Sequence, residues 1–109
     1  MKQKRGGGSM QSLVRQANQM QTKMKKLQDE LAEKEYSASS GGGAVKATVK
    51  GENTLLNVVI DPEIFKDGDA EMLQEMLVGA VNEALSLAKK DHEAEMEKIT
   101  GPMNIPGLF

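Results

Sequence analysis

Met10, Leu13, Ala17, Met20, Met24, Leu27 and Leu31 recur at spacings of 3, 4, 3, 4, 3 and 4. This is the a/d pattern of a heptad sustained over three repeats, and it predicts a helix with a single apolar stripe from about Met10 to Lys34. No Gly or Pro interrupts the stretch, and most of its residues are good helix formers. Such a helix is about 36 Å long at 1.5 Å per residue, more than a small domain can cover. The seam has two readings: a contact with the same helix of a second copy, or a contact with a later helix of the same chain. The length of the helix favours the homodimer. Ala17 and three methionines would make that interface a soft one.

Charge is distributed as unevenly as hydrophobicity. The first 28 residues carry seven Lys or Arg and no acid, whereas the other 81 carry seven against sixteen Asp or Glu. The net charge of -2 thus conceals a front of +7 and a remainder of -9. That asymmetry predicts a polyanion at the front and little unspecific adhesion behind. Arg15, Lys23, Lys25 and Lys26 all lie off the seam, so one helix could hold a partner helix and a phosphate backbone together. Lysines on a helix ordinarily make a solvated face. Such faces, however, mix signs to gain i,i+4 pairs, and from Met10 to Gln28 there are four cations and no anion. Gln and Asn between them can also reach phosphates. Lys2, Lys4 and Arg5 precede three glycines and a serine, a segment that reads as a flexible basic tail over residues 1–9. Ser9, or alternatively Ser12, is the expected cap of the helix.

After Lys34 the period changes. Tyr36 to Ser40 is a short polar stretch, a weak first strand. Gly41, Gly42 and Gly43 permit a tight reversal. Val45, Ala47 and Val49 alternate with Lys46, Thr48 and Lys50 in a half-buried strand. A turn at Gly51–Thr54 leads into a more apolar strand from Leu55 to Ile60, so the three strands form an antiparallel meander. Asp61-Pro62-Glu63 is a helix start whose single turn Ile64 and Phe65 should pack down before Asp67-Gly68 breaks it. Asp69 should cap a long second helix. Leu73, Met76, Leu77, Ala80, Val81, Ala84, Leu85 and Ala88 give that helix a broad face to lay on the sheet. Gly101-Pro102 ends it, leaving a Pro- and Gly-containing tail over residues 101–109. The fold class is α+β, in the order α-β-β-β-α, with one domain over residues 10–100.

Several chemistries are disfavoured. The chain has no cysteine, which excludes disulfides, zinc-thiolate sites and cysteine nucleophiles. The serines sit mainly in tail, cap and turn positions without a base beside them. No Gly-Lys-Ser/Thr follows Gly41–Gly43, and the segment leads into a strand, so a hairpin turn is expected there rather than a phosphate cradle. His92 stands alone among Asp91, Glu93, Glu95 and Glu97, which is the setting of an exposed histidine rather than a metal ligand. No metal, cofactor, small-molecule substrate or catalytic residue is expected. No apolar run approaches the ~20 residues of a membrane span, and the segment after Arg5 lacks the apolar stretch of a signal peptide. A soluble cytoplasmic protein is the expectation. With only three aromatics to fill a core, such a small domain often recruits burial by oligomerising.

Five segments in order give the chain a resemblance. They are Gln16-Ala17-Asn18-Gln19-Met20-Gln21, then Gly41 to Gly51 with the sequence GGGAVKATVKG, then Ile60-Asp61-Pro62, Ala80-Val81-Asn82-Glu83-Ala84-Leu85, and Ile105-Pro106-Gly107-Leu108-Phe109. Together they resemble the YbaB/EbfC family of bacterial nucleoid-associated proteins, over about residues 10 to 109. The resemblance implies a tweezer-like homodimer that binds DNA in the cytoplasm and affects nucleoid organisation and gene expression. It also marks the first helix and the end of the last one as DNA-facing arms. The end of the last helix departs from a basic arm, since Lys89, Lys90 and Lys98 stand against Asp91, Glu93, Glu95 and Glu97.

The expected function is binding of double-stranded DNA, without turnover and largely without sequence preference, by Arg15, Lys23, Lys25 and Lys26. Lysines on flexible stems suit phosphates better than bidentate base reading. The alternative is a coiled-coil adaptor whose seam recruits another protein's helix without touching DNA.

Overall fold

The computed structural model describes the backbone of residues 2–66 and 68–101, with side chains from Met10 onward. The first helix, α1, spans Lys2–Glu33. It begins earlier than the expected caps at Ser9 or Ser12, running back through Gly6, Gly7 and Gly8 in the segment expected to be a tail. Each glycine costs a helix about 1 kcal/mol, yet extending an existing helix adds one hydrogen bond per residue without new nucleation.

The C-terminal end of α1 is fastened by the turn that joins the second and third strands. Gly51 N–H donates to the Lys34 carbonyl at 2.8 Å and Glu52 N–H to that of Ala32 at 3.2 Å. These bonds satisfy carbonyls that a helix end leaves without intrahelical partners. Gly51 permits the approach, because a Cβ there would overlap the Leu31 carbonyl oxygen.

Strands β1 (Glu35–Ser40), β2 (Val45–Lys50) and β3 (Thr54–Ile60) form an antiparallel sheet in that order. The polar β1 pairs along its whole length, with Tyr36 opposite Val49 and Ser40 opposite Val45. Gly41, Gly42 and Gly43 all take positive φ (61, 67 and 96°), which explains why three glycines stand at that reversal. Val45, Ala47 and Val49 are buried beneath the last helix as their alternation requires. Thr48, expected on the open side, is buried too, sharing a 2.8 Å hydrogen bond with Ser37 on the neighbouring strand. A bulge follows: Thr48 faces Asn57 but Val49 faces Leu55, leaving Leu56 as the extra residue.

Asp61 starts a 3-10 helix, Pro62–Lys66, its carboxylate accepting from Glu63 N–H at 3.0 Å. Ile64 packs inward but Phe65 does not; adjacent residues diverge by about a third of a turn in a 3-10 helix. The expected break there falls partly on Asp67, which lies outside the described residues, as does the tail from Pro102 onward. Asp69 caps α2, Ala70–Thr100, accepting from Met72 N–H at 3.0 Å. Ala80, Ala84 and Ala88 are its buried residues, with Leu73, Met76, Leu77, Val81 and Leu85 half-buried around them. The small alanines let α2 lie close on Val45, Ala47 and Val49. The outcome is the α-β-β-β-α order.

Candidate nucleic-acid interface

The seam of α1 divides into two stretches. Leu31 is 3 % exposed, and Met20, Met24 and Leu27 are half-buried. Met10, at 65 % exposed, Leu13 and Ala17 stand open. In its covered part α1 touches α2, where Asp91, His92, Glu95, Met96 and Ile99 are likewise half-buried. A contact within the chain, the second reading of the seam, is thus available to its C-terminal stretch. The N-terminal stretch has no cover among the described residues.

A strap holds the α1 end against α2. Asp91 Oδ2 accepts from Lys34 Nζ at 2.7 Å and from Tyr36 Oη at 2.6 Å, while the Lys34 ammonium lies 5.5 Å from the centre of the Tyr36 ring. The hydrogen bond from Lys34, with a second from Tyr36, holds the Asp91 carboxyl below its ordinary range. Its bond to Asp91 raises the Lys34 ammonium in turn. Burial, reinforced by that carboxylate, pushes the Tyr36 hydroxyl up to about 12. In the sequence Asp91 reads only as an acid opposing DNA. Its partners lie 57 and 55 residues away, beyond any local pattern.

Arg15, Lys23, Lys25 and Lys26 are all exposed on α1. At 3.6 residues per turn, Arg15, Lys23 and Lys26 fall within about 80° of arc, Arg15 and Lys26 on the side away from the seam and Lys23 bordering it. Asn18, Gln19 and Thr22 border them along an open depression that Met10 and Val14 also line. Lys25 points to the flank, 3.6 Å from Asp29, with both side chains well exposed. Among the described residues Arg15, Lys23 and Lys26 take part in no ion pair. Lys34, Lys50, Lys66 and Lys98 are each matched to a carboxylate at 2.7 to 3.1 Å. The basic face spans about 17 Å of helix, and no carboxylate among the described residues pairs with its centre.

The end of α2 offers less to a polyanion. Lys98 is tied to Glu95 at 2.9 Å, and Glu93 and Glu97 are exposed. His92 is half-buried and lines an open groove of about 690 Å³ with Gly51, Asn53, Leu85 and Lys89. Among the described residues no cluster of His, Asp and Glu could hold a metal ion. No described helix is long and apolar enough to cross a membrane.

Comparison with known proteins bears on what such a face serves. Residues 6–103 match the model of the YbaB/EbfC DNA-binding family. A nucleoid-associated protein of Clostridium acetobutylicum is 46 % identical over 103 residues, covering 94 % of this chain and 92 % of its own. One from Thermoanaerobacter pseudethanolicus is 43 % identical over 104 residues, covering 95 % and 94 %. Among solved structures, an uncharacterized protein from Helicobacter pylori superposes with a TM-score of 0.66 at 21 % identity, covering 80 % of this chain and 91 % of that one. At that identity the likeness speaks for the fold.

Proposed function

Because the chain belongs to the YbaB/EbfC DNA-binding family, we propose that it is a nucleoid-associated protein that binds double-stranded DNA through the basic face of α1. Arg15, Lys23 and Lys26 form the centre of that face and Lys25 its flank. Binding is non-catalytic and largely independent of sequence, since ammonium groups on flexible stems neutralise phosphates without reading base edges. The protein acts as a homodimer, so each complex presents the face twice. In the cell it coats or organises nucleoid DNA, and gene expression responds to that occupancy.

One observation carries the reading: Arg15, Lys23 and Lys26 are exposed on one helix and pair with no carboxylate among the described residues, in a chain that is acidic elsewhere. A mobility-shift titration on unrelated duplexes over several salt concentrations tests it. Lys23→Gln/Lys25→Gln/Lys26→Gln removes three charges per chain while keeping helix propensity. Each phosphate left without its cation takes about 0.9 from the slope of log affinity against log salt. Affinity should drop alike on every duplex and the slope should fall by several units. A triple variant that stays folded and binds as the wild type does would show the face to be merely solvated. The adaptor reading draws on the open stretch Met10, Leu13 and Val14. Competition by plain duplex DNA separates the two, because an adaptor without DNA affinity keeps its protein partner.

A further inference from the structure

The polar side of α1 is ordered as well as charged. At about 100° of turn per residue, Arg15, Asn18, Gln19, Thr22 and Lys26 fall on one strip roughly 100° wide, opposite the seam. All of them are exposed. Two further lysines stand outside the strip, one on each side: Lys23 beyond Gln19 and Lys25 beyond Asn18. Measured across the strip they are about 160° apart, so they leave the helix in nearly opposite directions. The arginine, by contrast, lies in the middle of the strip, between the two amides.

This is the order required of a helix sunk in a groove, with phosphates on two walls and base edges on the floor. With its side chains an α-helix is about 10–12 Å across, and the major groove of B-form DNA is about 12 Å wide. From Arg15 to Lys26 the strip runs about 17 Å, the rise of about five base pairs. Arg, Asn and Gln are the side chains that pair bidentately with purine edges there, Arg with guanine and the amides with adenine. Thr22 contributes less, because its hydroxyl is returned to the Asn18 carbonyl at 2.9 Å. The half-buried residues of this stretch, Met20, Met24 and Leu27, all lie on the seam, so the rest of the domain leaves the strip open. Asp29, the first acid of α1, pairs with Lys25 one turn further on and marks where contact with a polyanion ends.

Resting on the DNA binding proposed above, we propose that α1 lies in the major groove, with Asn18, Gln19 and Arg15 against base edges and Lys23 and Lys25 on phosphates of the two strands. Asn18 and Gln19 are then specificity-determining residues. They add a modest preference for adenine to an affinity that phosphate contacts dominate. The open apolar stretch at Leu13 and Ala17 points out of the groove. Duplex RNA, whose major groove is too narrow for side chains to read, does not fit this face.

Three duplexes of one sequence test the placement by mobility shift of the full chain. One is unmodified, one carries glucosylated 5-hydroxymethylcytosine for cytosine, and one carries 7-deazaadenine for adenine. The glucose fills the major groove and leaves every phosphate in place, whereas the deaza base lacks only the N7 acceptor that a bidentate amide needs. The wild type should bind the glucosylated duplex at least about tenfold more weakly than the unmodified one. It should bind the deaza duplex about fivefold more weakly, the low end of what a bidentate base contact supplies. Asn18→Ala/Gln19→Ala keeps helix propensity; it should retain the glucose effect and bind the deaza and unmodified duplexes alike. A wild type that binds none of the three would overturn the DNA reading itself. Equal binding of unmodified and glucosylated DNA would take α1 out of the groove and leave that reading standing. A deaza effect that is missing from the wild type, or that survives in the double variant, would remove base reading from Asn18 and Gln19.

Discussion

The two halves of α1 carry one unbroken heptad and meet opposite fates. Toward Glu33 the stripe is covered: Leu31 is buried, the helix end is hydrogen-bonded by Gly51 and Glu52, and Asp91 holds the chain just beyond it. Toward the N-terminus the same pattern stands in water, at Met10, Leu13 and Ala17. Periodicity identifies residues that share a face and says nothing of what covers it. The anchored half supplies rigidity, and the open half carries Arg15 to whatever lies in front of it. Lys23 and Lys26 stand at the junction, where the helix is already held.

The strongest way to break this contrast is to truncate each half in turn. Leu31→Ala should cost about 2–4 kcal/mol, the usual range for a buried leucine. Leu13→Ala should cost no more than about 0.5 kcal/mol, as surface changes do. Thermal unfolding of the two variants at equal concentration measures the difference directly. Gly51→Ala belongs with Leu31, since its Cβ would collide with backbone rather than with a yielding side chain. Equal melting temperatures for Leu31→Ala and Leu13→Ala would mean that the halves are not distinct.

The Asp91 strap sharpens the comparison through pH. Asp91 is depressed in the folded state by Lys34 and Tyr36, so its contribution is complete above the ordinary value of 3.8 and is lost as pH falls through the folded value. Tyr36 is raised from 10.0 to about 12. In the unfolded chain it therefore ionises first, and stability falls as pH climbs from 10 toward 12. Lys34, raised from 10.5 by Asp91, acts in the same alkaline direction. Asp91→Asn should remove the acid limb, make the alkaline limb shallower without abolishing the part that burial of Tyr36 supplies, and lower stability at neutral pH, because two hydrogen bonds to a charged acceptor are weakened. Denaturant titrations at pH 3, 7 and 11 would test this, and an unchanged pH profile would remove the strap from the account.

What is legible in the sequence divides along the same line. The Gly41–Gly43 reversal, the alternation of β2, the Asp61-Pro62 start and the Asp69 cap are local chemistry, and each forms where its residues are. The face of cations on α1 is also local, a matter of spacing and sign. Other features depend on distant partners. Thr48 is buried by a hydroxyl on the next strand, Phe65 is left out by the pitch of a 3-10 turn, and the helix end is capped by a turn two strands further along. The early start of α1 has a different cause: glycine signals weigh less when a long helix is already in place to extend.

On the basic face the expected effects are smaller and graded. Lys23→Gln and Lys26→Gln should each remove about 0.9 from the salt slope for every phosphate they cease to neutralise. Lys25→Gln should remove less, because part of that charge already answers to Asp29. A ranking that puts Lys25 first would move the centre of the interface to the flank of α1.

The smallest effect is expected at His92. It lies on α2 beside the anchored half, in the groove with Lys89 and Glu93, and among the described residues no further ligands gather around it to form a metal cluster. The carboxylates that flank it in sequence repel phosphate, so DNA has little cause to approach this part of α2. His92→Ala should therefore leave DNA affinity within about twofold of the wild type, the scale of a substitution outside any named interaction. The measurement is the same mobility-shift titration, run with and without added zinc. A loss beyond tenfold, or a zinc dependence that the substitution abolishes, would make the end of α2 a second arm of the interface. The division between an anchoring half and a binding half would then no longer hold.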